Sequence, residues 1–105
     1  MADEIKPNFD ELNRFQWDIL FIIEQAESNG STLHGLGIKG ALEETYEDTE
    51  VYHGRLYPSL DTLVEEGLIE KAQRDERTNI YRLTDIGEDW VGARREFVTN
   101  LFEDQ

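Results

Sequence analysis

Apolar residues recur along this chain at two spacings, and the change from one to the other divides it. Between Leu12 and Ser28, the residues Leu12, Phe15, Ile19, Ile22, Ile23 and Ala26 form a stripe at helical spacing. Trp17, Leu20 and Phe21 add apolar surface on the opposite side, so this first predicted helix needs cover on both faces. "SNGSTLHG" reads as a loop. A second helix is predicted over Gly35 to Tyr46, with Ile38, Ala41, Leu42 and Thr45 inward. After the polar turn "EDTE", a third runs from about Tyr52 to Glu66, with Leu56, Leu60, Leu63 and Val64 on one face. Gly67 ends it as a left-handed cap.

Beyond Gly67 the period shortens to two. "LIEKAQ" and "NIYRLT" are rich in branched and aromatic residues around the polar tip "RDERT", the pattern of a two-stranded hairpin. Thr84 then caps a last helix from Asp85 to about Phe102, and Gly87 at its third position excludes a reciprocal capping box. The order helix, helix, helix, strand, strand, helix predicts a mainly α fold with a small β-wing. It is a winged helix-turn-helix over residues 12–84, after an acidic arm at 1–11 and before a C-terminal dimerisation helix at 85–105.

A winged helix is complete at its wing, so on this reading the last helix has no floor within its own chain. It is expected to pair with its symmetry mate and with the outer face of the first helix, forming a twofold homodimer. The expected interface residues are Trp17, Phe21, Ile86, Trp90, Phe97, Val98 and Leu101.

At 105 residues the chain is expected to be one domain. It has no cysteine, which removes disulfides, thiolate metal sites and thiol redox sensing. His34 and His53 are the only histidines, too few for a transition-metal site. The longest apolar run, "FQWDILFII", is far shorter than the ~20 residues of a membrane helix, and Asp18 interrupts it. No signal-peptide pattern opens the chain, so a cytoplasmic protein without a membrane partner is expected. "GLGIKG" spells the dinucleotide fingerprint G-x-G-x-x-G, but it follows a helix and no βαβ unit surrounds it. No nucleophile stands beside a base, so no enzyme and no cofactor is expected.

Charge changes the picture most. The net charge is −14, from 24 acidic and 10 basic residues, of which only Lys6, Lys39 and Lys71 are lysine. A DNA binder in ordinary salt is usually basic. Abundant acid with scarce lysine fits a cell with molar internal salt, where screening shortens to about 3 Å. Two stretches escape the acid. Residues 51–60 and 71–84 together hold five basic and two acidic residues, whereas the other 81 positions hold five basic and 22 acidic. These are the third helix and the wing, the parts a winged helix presents to double-stranded DNA.

On the third helix Tyr52, His53, Arg55, Ser59 and Thr62 face outward. Arg55 is the candidate for a bidentate guanine contact, and Tyr52, His53 and Ser59 for contacts with bases or phosphates. Asp61, Glu65 and Glu66 confine contact to the helix's first half. Arg74, Arg77, Thr78 and Asn79 of the wing are expected on the backbone, and Asp75 and Glu76 oppose deep minor-groove insertion. Monovalent cations bridging carboxylates and phosphates are the ions such a complex would need. The alternative is a winged helix used only to bind other proteins, for which acidity is a natural fit.

"GRLYPSLDTLVEEGLIEK" resembles the signature of the PadR family of transcriptional regulators. Its third helix carries glycine, a small residue, an aliphatic residue, Tyr-Pro and a leucine stripe ending in Glu-Gly-Leu. These fall here on Gly54, Arg55, Leu56, Tyr57, Pro58, Leu60, Leu63, Glu66, Gly67 and Leu68. "NIYRLTDIG" is similar to the family's second wing strand and "HGLGIKGALEE" to its second helix. The resemblance spans about residues 12–100 and implies a winged-helix dimer, usually a repressor, with Tyr57 near a phosphate. It also implies that Pro58 is tolerated in the helix, its ring crowding the carbonyl of Gly54. Tyr52-His53 stands where the family often has Ser-Pro, and Arg55 replaces a small residue, which implies an unusual target. With its acidity, the chain resembles haloarchaeal members of the oxidative-stress regulator type.

Overall fold

The first long helix is the element on which the others pack. In the computed structural model, which describes residues 9–103, α1 spans Arg14–Ser28. Asn13 sets its start through a reciprocal capping box: Gln16 N donates to Asn13 Oδ1 at 2.8 Å, and Asn13 N to Gln16 Oε1 at 3.0 Å. A single 3-10 turn, Phe9–Glu11, precedes it. Residues 1–8 of the expected acidic arm lie outside the described residues.

α2 (Gly35–Tyr46) and α3 (His53–Glu65) follow, then the wing hairpin and α4 (Asp85–Glu103). The loop expected between α1 and α2 contains a short strand, β1 (Leu33–His34). Two residues are too few to show a period, and only the partner fixes them: Leu33 pairs with Tyr81 and His34 with Ile80. The wing strands are β2 (Ile69–Asp75) and β3 (Thr78–Leu83), antiparallel, in the sheet order β1-β3-β2. The hairpin tip is therefore just Glu76-Arg77, shorter than expected, and a register shift between Gln73 and Asp75 accommodates it.

The inner face of α1 buries Ile19, Leu20 and Ile23 against Ile38 and Leu42 of α2, Leu56, Leu60 and Leu63 of α3, and Leu83 of β3. Truncating any one of these to alanine would cost about 2–5 kcal/mol. The outer face is covered as well, and by the chain itself. Trp17 stacks on Trp90 with ring centroids 6.1 Å apart, and Val91 is buried beside them. Arg95 pairs with Glu24 across the same joint. The expectation that α4 lacks a floor is thus corrected: its first half lies on α1. Trp17 and Trp90 are corrected with it, being 4% and 7% exposed inside one protomer rather than open to a partner.

One corner fixes how α3, the wing and α4 meet. Gly67, at φ +77°, ends α3, with Leu68 N donating to Leu63 O and Gly67 N to Val64 O, both at 3.0 Å. Thr84 then locks the start of α4 onto this turn. Its hydroxyl donates to Gly67 O at 2.6 Å, its amide donates to Leu68 O at 3.0 Å, and its Oγ1 accepts from Gly87 N at 3.0 Å. Gly87 is glycine because a Cβ there would overlap the Leu68 carbonyl.

The other end of α3 hangs on Glu43. Its carboxylate accepts from Val51 N and from Lys39 Nζ, both at 2.9 Å, so the turn after α2 delivers a buried Val51 just ahead of α3. The Val51 amide first, and Lys39 second, hold the Glu43 carboxyl below its ordinary value.

Two outcomes are expected. Gly87→Ala should lower stability by about 2–3 kcal/mol or more, since backbone must move to admit the methyl group; thermal unfolding followed by circular dichroism reads this. The stabilisation from the Glu43 charge should be complete above the unfolded value near 4.5 and lost as pH falls through the lower folded value. The stability difference between wild type and Glu43→Gln should therefore shrink on acidification, and a difference independent of pH would refute this role.

Candidate nucleic-acid interface

Helix α3 turns roughly 100° per residue, which sorts its side chains into three arcs beside the buried stripe. Gly54, Pro58, Asp61 and Glu65 form the outermost arc, and all are exposed. Arg55, Ser59 and Thr62 lie along one flank, His53 and Tyr57 along the other. The front of the first half thus carries a glycine and a proline, and its recognition chemistry stands to either side. Tyr52 caps the helix without a side-chain hydrogen bond and is 64% exposed. Ser59 is half-buried.

On the Tyr57 flank a cleft of about 260 Å³ opens between the start of α2 and the wing. His34, Tyr57, Arg77, Thr78 and Asn79 line it, with buried Tyr81 at its wall. The Tyr57 hydroxyl lies against Gly35, where any Cβ would collide with it, and the His34 imidazole lies over Gly37. Two glycines of "GLGIKG" therefore make room for the polar side chains of this cleft. His53 stands edge-on to the Tyr57 ring, with centroids 5.5 Å apart. Burial raises the Tyr81 phenol above its usual value, with Tyr57 and Asp61 adding to the effect.

At the wing tip one exposed carboxylate also shapes the turn. Asp75 Oδ1 accepts from Arg77 N at 3.0 Å, and that bond, with further hydrogen bonds from Thr78, holds its carboxyl below the ordinary value. Asp75 shapes the turn, while Arg74 and Arg77 stay exposed.

On the Arg55 flank lies a larger cleft, about 640 Å³, between the start of α1, the end of α2 and α3. The Arg55 guanidinium rests over the Phe15 ring, 3.9 Å from its centroid, and Arg14 lies 5.9 Å from the Tyr46 centroid. Thr45, Thr49 and Asn13 complete the lining. The Tyr46 hydroxyl donates to Asp18. Burial first, and that bond second, push the Tyr46 phenol up to about 12. The sequence reading missed Asn13, Arg14 and Thr49, because three separate segments supply this cleft and no local pattern joins them. Among the described residues neither cleft is lined by an acidic side chain, in a chain with 24 of them.

Far from α3, the second half of α4 shows Phe97, Val98, Leu101 and Phe102 at 39–70% exposure, and Ile86 at 44%. Phe9 covers part of Phe97, with centroids 5.5 Å apart, and Arg94 sits among Phe9, Trp17 and Phe97. Phe21 is half-buried on α1. Among the described residues no cluster of three or more metal-ligating side chains occurs. No described helix is long and apolar enough to cross a membrane.

Residues 19–93 match the model of the transcriptional regulator PadR-like family. H. salinarum RosR is 43% identical, with 90% of this chain and 81% of that chain covered and a TM-score of 0.81. RosR in the complex structure hsRosR-S1 gives 44% identity, 89% and 78% coverage and a TM-score of 0.80. A winged-helix DNA-binding protein from STIV shares the fold at 20% identity, with 87% and 95% coverage and a TM-score of 0.66. None of the curated proteins matches the chain. A family match over well over half the chain, around a winged helix-turn-helix, places this chain in the transcriptional regulator PadR-like family, as a DNA-binding regulator and not an enzyme.

Proposed function

We propose that this chain represses transcription in the cytoplasm as a homodimer that reads a pseudo-palindromic operator. The observation that carries the reading is the pairing of clefts on both sides of α3 whose described lining holds no carboxylate, in an otherwise acidic molecule. A helix entering the major groove has one phosphate strand on each side. Residues such as Tyr57, Arg77, Thr78 and Asn79 suit one of those strands, and Arg74 extends that contact along the wing. Tyr52 and His53 stand at the start of α3, where uncapped amides favour phosphate.

Ile86, Phe97, Val98 and Leu101, with Phe21 beside α1, are the residues we assign to the protomer contact. Twofold pairing through this face would set two copies of α3 about one helical turn of DNA apart. Use of the winged helix solely as a protein-interaction module is the competing reading, and charge alone favours it.

Arg55→Ala should weaken duplex binding by at least roughly tenfold in fluorescence anisotropy titrations; an interaction module would show no change. In the same assay the wild-type affinity should stay flat or rise with salt, because cations are taken up between carboxylates and phosphates. The steep fall of simple counterion release between ~0.5 and 2 M would contradict that. Sedimentation at high salt should give a dimer at micromolar concentration, and Phe97→Glu combined with Val98→Glu should give a monomer. A wild-type protein that sediments as monomer would exclude the pairing.

A further inference from the structure

We propose that Arg14 and Arg55 form an oxyanion clamp that grips one backbone phosphate, so that Arg55 positions the protein on DNA instead of reading a guanine. The proposal rests on the reading that α3 faces DNA and changes what one flank of it does.

Arg55 projects from the flank of α3 rather than from its outermost arc, and its guanidinium carbon lies over the Phe15 ring, 3.9 Å from the centroid. Phe15 is 3% exposed and anchored in the core, so this seat is rigid. A guanidinium seated on a ring keeps N–H donors available to an anion beside that ring. Extending toward the groove floor would forfeit that contact. Arg14 lines the same cleft from the start of α1, with the Tyr46 ring behind it.

One carboxylate stands beside Arg14. Asp18 pairs with Arg14, its Oδ2 lying 3.9 Å from Arg14 Nε, and shares that oxygen with the Tyr46 hydroxyl, which donates to it. Thr45 is also committed, donating to Ala41 O at 2.9 Å, which leaves Thr49 as the hydroxyl at the rim. The N-terminus of α1 is capped by Asn13, so the cations, not the helix end, hold the anion. Two arginines lining one cleft suit a tetrahedral oxyanion. A phosphate beside the major groove meets the clamp where α3 would enter. A free phosphate offers the same chemistry, and the test separates the two sources.

The operator is first recovered by selecting binding sites from random duplexes with wild type, Arg14→Ala and Arg55→Ala. Ethylation interference then maps the phosphates each protein needs. Both variants should select the wild-type consensus with affinity lowered roughly tenfold, and both should lose interference at the same backbone position. Arg14 has a side chain 85% exposed, so its truncation leaves the core intact and serves if Arg55→Ala folds poorly. A consensus relaxed at one base pair in Arg55→Ala would overturn the proposal, as would an unchanged interference pattern in Arg14→Ala. Inorganic phosphate should neither saturate the DNA-free protein at millimolar concentration nor displace the duplex; if it does both, the clamp serves a small oxyanion instead. A wild-type protein with no consensus and no footprint would refute DNA reading itself, an outcome distinct from all of these.

Discussion

Three hydrogen bonds made by Thr84 and Gly87 at the end of α3 constrain more of this molecule than any other local contact. They join the turn between α3 and β2 to the first turn of α4, just beyond β3. With that corner fixed, the hairpin must return alongside α1, and α4 must run back across the outer face of α1. The apolar surface that Trp17 presents is therefore closed by Trp90 and Val91 from the same chain. Glu27, whose carboxylate accepts from Leu83 N at 3.1 Å, ties the same strand end to α1. Burial raises the Glu27 carboxyl, against the effect of that bond. A Cβ at position 87 would break the corner because it meets main chain, which cannot rotate away as a side chain would.

Much of this was legible in the amino-acid order. The leucine stripe of α3, the period change at Gly67 and the cap at Thr84 are local signals, and each element they predict is present within a residue or two. What stayed hidden depends on partners distant in sequence. β1 exists because β3 offers it an edge, and the Arg55 cleft exists because residues 13–15, 45–49 and 55 meet in space. Trp17 and Trp90 misled for a related reason. A two-sided apolar helix announces that it must be covered, but periodicity does not say by which chain.

The distribution of acid has the same logic at larger scale. Three carboxylates near the candidate interface are engaged in structure: Asp75 forms the wing turn, Glu43 anchors the approach to α3, and Asp18 takes the Tyr46 hydroxyl. Glu76 stays exposed at the wing tip, and Asp61 and Glu65 stand on the second half of α3. The net charge of −14 therefore describes the molecule poorly at the distances over which a binding surface acts. At high salt those distances are only a few ångströms, so the neighbours within one cleft matter more than the total.

The Trp17–Trp90 stack has a spectroscopic consequence. These are the only two tryptophans in the chain, and both lie in the α1–α4 joint, where the Trp90 indole N–H is buried without a hydrogen-bond partner among the described residues. The rings that flank α3 are tyrosine, phenylalanine and histidine. Intrinsic tryptophan emission thus reports one place, the seating of the last helix on the first, and no dye is needed to watch that joint loosen or tighten.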